Sequence, residues 1–159
     1  MPKPSIIPLE HHQQEHSASC LAACAVMVWS HLGVSVPEAE MRRILKTRPY
    51  AGAHPINLLR LSELGYTGWP FEGTEQGLRQ RVVEGQPVIV CLWTAVLRHW
   101  ADRSGADYQH TVVVVGWDDS SVLVHDPVLQ YGPIELSWSE FRDTWRYTRQ
   151  MMAVIEPSE

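Results

Sequence analysis

Residues 110–127 read HTVVVVGWDDSSVLVHDP, two short apolar runs separated by four polar residues. The first run, 110–117, is rich in valine, and the second, 122–127, ends at a proline, so both are predicted to be β-strands. The residues DDSS at 118–121 between them are typical of a turn. The segment therefore predicts an antiparallel hairpin with a histidine at its first position and an aspartate near its last.

Whether His110 and Asp126 lie on the same face of that hairpin depends on its register, because successive residues of a strand alternate between faces. If Asp126 pairs with Val112 or Val114, it lies on the same face as the histidine. That pairing requires an odd-numbered turn or a bulge within 117–122. A two- or four-residue turn without a bulge puts the two side chains on opposite faces, and the sequence permits both arrangements.

The chain before the hairpin is predicted to be mainly helical. CLAACAVMVWSHLG at 20–33 has apolar residues at helical spacing and ends at a glycine, and Ser17 or Ser19 is placed to cap its start. Similar start and stop signals recur further along the chain. They predict a helix that begins after Pro37, a short helix at 55–64 and another at 75–83.

More strands and one more helix are predicted around the hairpin. They are a buried strand at 86–93, strands at 134–136 and 151–155, and a helix at 137–145 with Ser137 and Glu140 in capping-box spacing. Helices thus come first and antiparallel strands second, which is typical of an α+β fold. We expect one domain at 14–155, preceded by an irregular, proline-rich N-terminal arm at 1–13.

The totals exclude several classes of function. The 159-residue chain has a formal net charge of -5, which argues against sequence-independent binding of nucleic acid. No apolar stretch has the length of a signal peptide or a membrane span, so no membrane insertion is expected. No Gly-rich phosphate loop or dinucleotide motif occurs, so no cofactor is expected. Three cysteines, an odd number, argue against a disulfide scaffold and favour a reducing, cytoplasmic location.

Cys20 is the candidate nucleophile. It lies at the expected first turn of the helix at 20–33, where unpaired N–H groups and the helix dipole favour a thiolate. The thiolate is the reactive form of cysteine. Cys24, one turn later, and Cys91, in an apolar strand, are expected to pack in the core.

Three other residues would complete a hydrolytic site around Cys20. His110 opens a strand after a long connection and can act as base, while Asp126 can orient its imidazole. Gln14 precedes the cysteine in an irregular segment, where its amide can donate to an oxyanion together with the backbone N–H of the cysteine. Each residue is unspecific by itself, but the combination predicts nucleophilic catalysis.

These segments, taken in order, resemble the bacteriocin-processing (double-glycine leader) peptidase family. The matching pieces are Gln14-x5-Cys20 with a helix ending at Gly33, the strand GQPVIV at 85–90, the hairpin at 110–127, and Ser137, Phe141 and Trp145 near the end. The resemblance spans roughly residues 14–145, nearly the whole expected domain.

The resemblance implies a papain-like fold, in which N-terminal helices, including the one that carries the cysteine, pack on a C-terminal antiparallel sheet that carries the histidine and the aspartate. It implies hydrolysis of a peptide bond, often after Gly-Gly, through a thioester acyl-enzyme. The implied roles are nucleophile for Cys20, base for His110, orienting residue for Asp126 and oxyanion donor for Gln14. A peptide or protein is then the expected substrate. The membrane and ATP-binding parts of leader-peptide transporters do not occur in the sequence, so we expect a stand-alone domain.

Two features depart from the family pattern, and both lie where substrate would approach. Leu21 follows the nucleophile where the family usually has glycine, and the connection 94–109 before the histidine is long. A long loop beside a catalytic residue often has a binding or gating role, so we expect this one to border the cleft and limit which peptides enter.

The expected substrate contacts lie in this connection and are Trp100, Tyr108 and Gln109. Trp69 and Trp93 are expected to be buried in the core instead, because large aromatic side chains contribute most when they are removed from water.

A zinc site is an alternative use of the same N-terminal segment. His12, His16, Cys20 and Cys24 are spaced four apart and would line one face of a continuous helix, with ligand types that zinc accepts. Such a helix would separate the first and last residues by roughly 18 Å, so only adjacent pairs could share an ion. Residues 17–19 also indicate that the helix begins later. No metal is therefore expected.

Two other functions remain compatible with the sequence. A papain-like domain can bind peptides without cleaving them, although such domains usually lose the nucleophile, which is present here. The same triad can also transfer an acyl group to an amine instead of water, as in transglutaminase-like enzymes, and the sequence does not distinguish the acceptors.

Overall fold

The computed structural model describes residues 2–100 and 107–159. Its α-helices are α1 (Cys20–His31), α2 (Glu38–Ile44), α3 (Glu75–Val83) and α4 (Trp138–Arg146), with 3₁₀ helices at Pro55–Leu64 and Thr94–Val96. Its strands are β1 (Tyr66–Gly68), β2 (Phe71–Glu72), β3 (Val88–Trp93), β4 (Gln109–Trp117), β5 (Ser121–His125), β6 (Ile134–Ser137), β7 (Met151–Ala153) and β8 (Ile155–Pro157). Helices precede most of the sheet, as the sequence predicted.

An antiparallel sheet of six strands, in the order β2-β7-β3-β4-β5-β6, forms the centre of the fold. Its two middle strands, β3 and β4, are almost entirely buried, because α1 and α3 pack against β4 and α4 packs against β3. Strands covered in this way read as continuous apolar runs rather than as alternating patterns. This explains why the valine-rich segments dominate the sequence.

A bulge in β4 sets the register of the hairpin. Val113 pairs with His125 and Val114 with Val124, but Gly116 pairs with Leu123, so Val115 is the extra residue. Continuing the register beyond β5 places Asp126 opposite Val112, on the face of His110. The bulge therefore lies outside segment 117–122, where a bulge or an odd-numbered turn was predicted.

The N-terminal arm packs against the same hairpin. Ile7 is buried, and its backbone N–H donates to the carbonyl of Val115, the bulged residue, at 2.9 Å. Further along, the backbone N–H of Gln14 donates to the carbonyl of Pro127 at 2.7 Å. The arm is irregular, as expected, but it follows the sheet up to the start of α1.

Three local expectations were wrong. Trp69 is 57% exposed rather than buried, because it lies between the short strands β1 and β2, which the sequence pattern did not reveal. Ser19 precedes α1 but does not cap it, since its hydroxyl bonds the backbone of His16. Ser137 caps α4 as expected, since its hydroxyl accepts from the backbone N–H of Glu140, but the Glu140 carboxylate accepts from the backbone N–H of Arg98 instead of completing a capping box. Within the described residues, the structure has no helix long and apolar enough to cross a membrane.

The arm is joined to β5 by a pair of histidines. The Nδ1 atoms of His11 and His125 lie 2.9 Å apart, and Nε2 of His11 lies 2.8 Å from the Leu129 carbonyl. Because that carbonyl can only accept, His11 carries its proton on Nε2 and His125 donates from Nδ1. Burial, together with the proximity of His11, lowers the pKa of His125 to about 4.

The fold is expected to lose stability in mild acid for this reason. A histidine with a lowered pKa takes up a proton more readily in the unfolded chain, so stability is complete above about pH 6.5 and decreases towards pH 4. His125→Asn keeps a donor near the Nδ1 position but does not titrate. Thermal unfolding of both proteins between pH 4 and 7.5 should give a flatter profile for the variant, and equal slopes would contradict this assignment.

Candidate active site

Cys20 is the first residue of α1 and is partly exposed to a cleft. Its thiol lies close to the imidazole of His110 and to Thr111, and both residues act on its pKa. Burial raises the pKa of the thiol, but the hydrogen bond and charge of His110 and the bonds with Thr111 outweigh it, so the pKa of Cys20 is lowered. The other two cysteines differ, since burial raises the pKa of Cys24 well above its usual value and that of Cys91 to about 12.

His110 lies between Cys20 and Asp126 and is 1% exposed. Its Nε2 is 2.6 Å from Oδ1 of the aspartate, which leaves Nδ1 as the ring nitrogen available to the thiol. Burial disfavours the charged imidazole, but the charge of Asp126 and the two hydrogen bonds prevail and raise the pKa of His110 to about 10. The arrangement therefore favours a thiolate–imidazolium pair at neutral pH.

The carboxylate of Asp126 is fully buried and has three hydrogen-bond partners. Oδ1 accepts from His110 and, at 3.0 Å, from the backbone N–H of Val128, while Oδ2 lies 2.6 Å from Nε2 of His99. Burial alone would raise the pKa of this carboxyl group, but the His110 charge and these hydrogen bonds hold the pKa well below its usual range. No role for His99 was predicted from the sequence, although this residue lies in the long connection before His110.

Trp100 packs on the imidazole of His110, with ring centroids 4.6 Å apart. It is 6% exposed and is not among the residues that line the cleft. The structure thus places this tryptophan behind the histidine and not where the sequence analysis expected a substrate contact. An apolar ring there excludes water from the buried His110–Asp126 pair, which strengthens their electrostatic interaction.

The side chain of Gln14 has a different set of partners from the one expected. Its amide nitrogen donates to the carbonyls of His16 at 2.8 Å and Ser17 at 3.1 Å. Its Oε1 atom is buried and has no hydrogen-bond partner within the described residues. Both N–H groups of the amide therefore stabilise the turn before α1, and donation to an oxyanion requires one of them to change partner.

A cleft of about 590 Å³ opens at Cys20. Tyr108 and Gln109, two of the expected substrate contacts, line it, together with segment 50–55, which the sequence analysis did not identify. A smaller hollow of about 290 Å³ adjoins it and shares Ser17, Ala18 and Tyr50 with it. The connection expected to act as a gate includes residues 101–106, which lie outside the described residues.

Segment 50–55 reaches the cleft because Gly52 permits a close approach. It has a φ of +73°, and a Cβ there would lie 3.0 Å from the carbonyl oxygen of Ala18. The neighbouring Tyr50 is 98% exposed at the border of the two hollows. The turn at 48–52 thus forms a wall of the cleft next to the start of α1.

The histidines and cysteines of the zinc alternative are not brought together. In residues 2–100 and 107–159, the cluster with metal-ligand geometry is His12, Glu15 and Glu38. The guanidinium of Arg42 already bonds both of those carboxylates. Cys24 instead lies against Thr111 in the core.

Comparison with known proteins decides the family. The sequence model described as "Peptidase C39 family" matches residues 9–159. The chain belongs to the peptidase C39 family. It carries a thiol in contact with an imidazole, and its family supports a cysteine peptidase. No curated protein sequence matches this C39 chain.

Solved structures confirm the papain-like C39 fold. A C39-like peptidase from Bacillus anthracis has a TM-score of 0.78 at 16% identity, with each chain covered over 100% of its length. A double glycine motif protease from an AMS/PCAT transporter, in complex with the leader peptide, has a TM-score of 0.73 at 18% identity and covers 99% and 100% of the two chains. The peptidase domain of Streptococcus ComA, a bifunctional ABC transporter, has a TM-score of 0.71 at 18% identity. The match covers 96% of this chain and 99% of that domain.

Alkylation should distinguish the three cysteines. At pH 7, iodoacetamide is expected to modify Cys20 at least about tenfold faster than Cys24 or Cys91 in the folded protein, since only its pKa is lowered. Peptide mapping by mass spectrometry measures the three rates, and labelling after unfolding provides the control. The Cys20 rate should remain high as the pH rises towards 10. Equal rates for the three thiols in the folded state would contradict the assignment.

Proposed function

We propose that this chain is a cysteine peptidase that cleaves peptide bonds through Cys20, His110 and Asp126. The observation that carries the proposal is the contact of a partly exposed thiol at a helix N-terminus with a buried imidazole, itself held by a buried carboxylate. Nucleophile, base and orienting group in this order are the requirements of a triad.

The proposed reaction begins with attack of the Cys20 thiolate on the carbonyl carbon of the substrate. The carbonyl π electrons move to oxygen, and the resulting oxyanion is stabilised by the backbone N–H of Cys20 at the start of α1 and by the amide of Gln14. When the tetrahedral intermediate collapses, the C–N bond breaks and the His110 imidazolium donates its proton to the leaving amine. The product is a thioester, which water, deprotonated by the neutral imidazole, then hydrolyses to a carboxylate and the free thiol.

Asp126 keeps His110 in the geometry that this sequence needs. Because its Oδ1 accepts from Nε2, Nδ1 faces the thiol, and the imidazolium formed during the reaction is stabilised by the negative charge. The packing of Trp100 on the ring fixes its plane further. The carboxylate itself stays ionised throughout.

A peptide is the proposed substrate because the cleft extends to both sides of the turn before Cys20. The hollows of about 590 and 290 Å³ meet at Ser17, Ala18 and Tyr50, so together they form one continuous groove that includes Cys20. One structure of similar fold is a double glycine motif protease in complex with the leader peptide. We therefore propose leader-like peptides as the first substrates to assay, with Gly-Gly compared with larger residues before the cleavage site.

Removal of the nucleophile should abolish turnover, whereas removal of the carboxylate should lower it strongly. Cys20→Ala is expected to eliminate peptide cleavage but leave peptide binding largely intact, since binding needs only the cleft. Asp126→Asn is expected to lower kcat by roughly 10³–10⁴. The amide has only one accepting oxygen, so its N–H group faces the ring of either His99 or His110 and disturbs the tautomer of that ring. Cleavage is measured with a fluorogenic peptide and binding by anisotropy.

Matched controls are available for both variants. Cys24→Ala removes a buried thiol from the same helix, and Asp119→Asn changes an exposed carboxylate in the turn of the same hairpin. Asp119→Asn should retain activity within about twofold of wild type, as expected for an exposed change away from the reacting groups, and Cys24→Ala should still cleave the peptide because its thiol does not line the cleft. Full activity of Cys20→Ala would show that hydrolysis is not the function.

Gln14→Ala tests the oxyanion role separately. Alkylation builds no oxyanion, so the rate at which iodoacetamide modifies Cys20 should stay nearly unchanged. Turnover should decrease by about 10²–10³, the usual loss for one oxyanion donor. If alkylation falls by the same factor as turnover, Gln14 acts only by supporting the turn at 16–19 through its two carbonyl contacts.

A further inference from the structure

We infer that His99 is a positioning residue, which holds the second oxygen of the Asp126 carboxylate so that the first oxygen stays aligned with His110. The inference rests on the proposed function, since it concerns the residue that orients the base. Cys20, His110 and Asp126 are the three proposed reacting and orienting groups. His99 is a fourth group, which acts only through its contact with the Asp126 carboxylate.

The two oxygens of Asp126 have separate partners. Oδ1 accepts from His110 Nε2 at 2.6 Å and from the backbone of Val128 at 3.0 Å, whereas Oδ2 has His99 Nε2 at 2.6 Å as its partner within the described residues. The Asp126 side chain has no solvent contact, so water does not replace a lost donor at Oδ2. An imidazole on each oxygen prevents the carboxylate from rotating about its own axis.

The chemistry of the contact determines the form of His99. An ionised carboxylate only accepts hydrogen bonds, so the proton of His99 lies on Nε2. Its Nδ1 is buried without a partner in the described residues. His99 therefore donates to the second oxygen of the carboxylate and aligns it.

The segment that carries His99 is fixed at three consecutive residues. The backbone N–H of Arg98 donates to Oε2 of Glu140 on α4 at 3.1 Å, His99 binds Asp126, and Trp100 packs on His110. Two adjacent side chains of this segment thus contact the two members of the His110–Asp126 pair. This arrangement indicates that residues 98–100 support the base from behind, which is distinct from the gating role expected for the whole connection.

Loss of the donor should change the chemistry of Cys20. In His99→Leu, the carboxylate can turn, the imidazolium is less stabilised and the thiolate forms at higher pH. We expect the midpoint of the pH profile for Cys20 alkylation by iodoacetamide to rise by about one unit, the scale of one charge-assisted hydrogen bond. Peptide cleavage should decrease about tenfold, in kcat more than in KM, because substrate does not touch His99.

His99→Gln provides the conservative comparison. Its amide nitrogen reaches the place of the Nε2 donor and restores the hydrogen bond to the carboxylate, so the midpoint and kcat should return close to wild-type values. His31→Leu and His31→Gln serve as controls, since that ring bonds only the Pro8 carbonyl in the described structure and lies outside the site. The two other cysteines, Cys24 and Cys91, are unchanged in every variant.

The outcomes separate this inference from the proposed function. If wild-type Cys20 reacts no faster than the other thiols, the proposed function fails. If wild type behaves as expected and His99→Leu has the same midpoint and kcat, only the role of His99 is overturned. Equal losses of kcat in the leucine and glutamine variants, with lowered unfolding temperatures and no shift in midpoint, would show a purely structural role and also overturn it. Should the leucine variant not fold, His99→Asn, whose shorter amide does not reach the carboxylate, replaces it under the same criteria.

Discussion

The ionised carboxylate of Asp126 lies in the protein interior without solvent contact, and a buried charge of this kind is stable only when donors surround it. Its donors come from separate parts of the chain: His110 at the start of β4, Val128 after β5, and His99 in the connection between β3 and β4. The carboxylate therefore joins the hairpin to that connection. In return, the charge of the carboxylate and its hydrogen bond raise the pKa of the His110 imidazole beside Cys20.

The bulge at Val115 makes this arrangement possible. Without the extra residue, the strand alternation would turn Asp126 to the opposite face of the sheet from His110. The carbonyl of the bulged residue accepts from Ile7 of the N-terminal arm, and the arm then leads to Gln14 and to the first turn of α1. One local irregularity in a strand thus places the candidate base and also guides the chain that delivers the candidate nucleophile.

Much of this was predictable from sequence, because long apolar runs and helix caps are local signals. The boundaries of α3, the start of α2 and the strands of the hairpin followed from such patterns, as did the contact between Cys20, His110 and Asp126 through family resemblance. The position of the bulge, the exposure of Trp69 and the partners of Gln14 did not follow, because each depends on residues distant in sequence. His99 was overlooked for the same reason: its partner lies 27 residues away, and nothing in the local sequence distinguishes it from a surface histidine.

The central claim is that Cys20 and His110 form a thiolate–imidazolium pair supported by Asp126, and histidine-ring NMR measures it directly. Long-range ¹H–¹⁵N spectra of the uniformly labelled protein, assigned with the Cys20→Ala variant, report the protonation of each ring nitrogen as a function of pH. We predict that both nitrogens of His110 are protonated at pH 7, that the ring deprotonates only near pH 10, and that this pKa falls when the thiolate is removed. A His110 ring that is neutral at pH 7 in the wild-type protein, and unaffected by Cys20→Ala, would contradict the account.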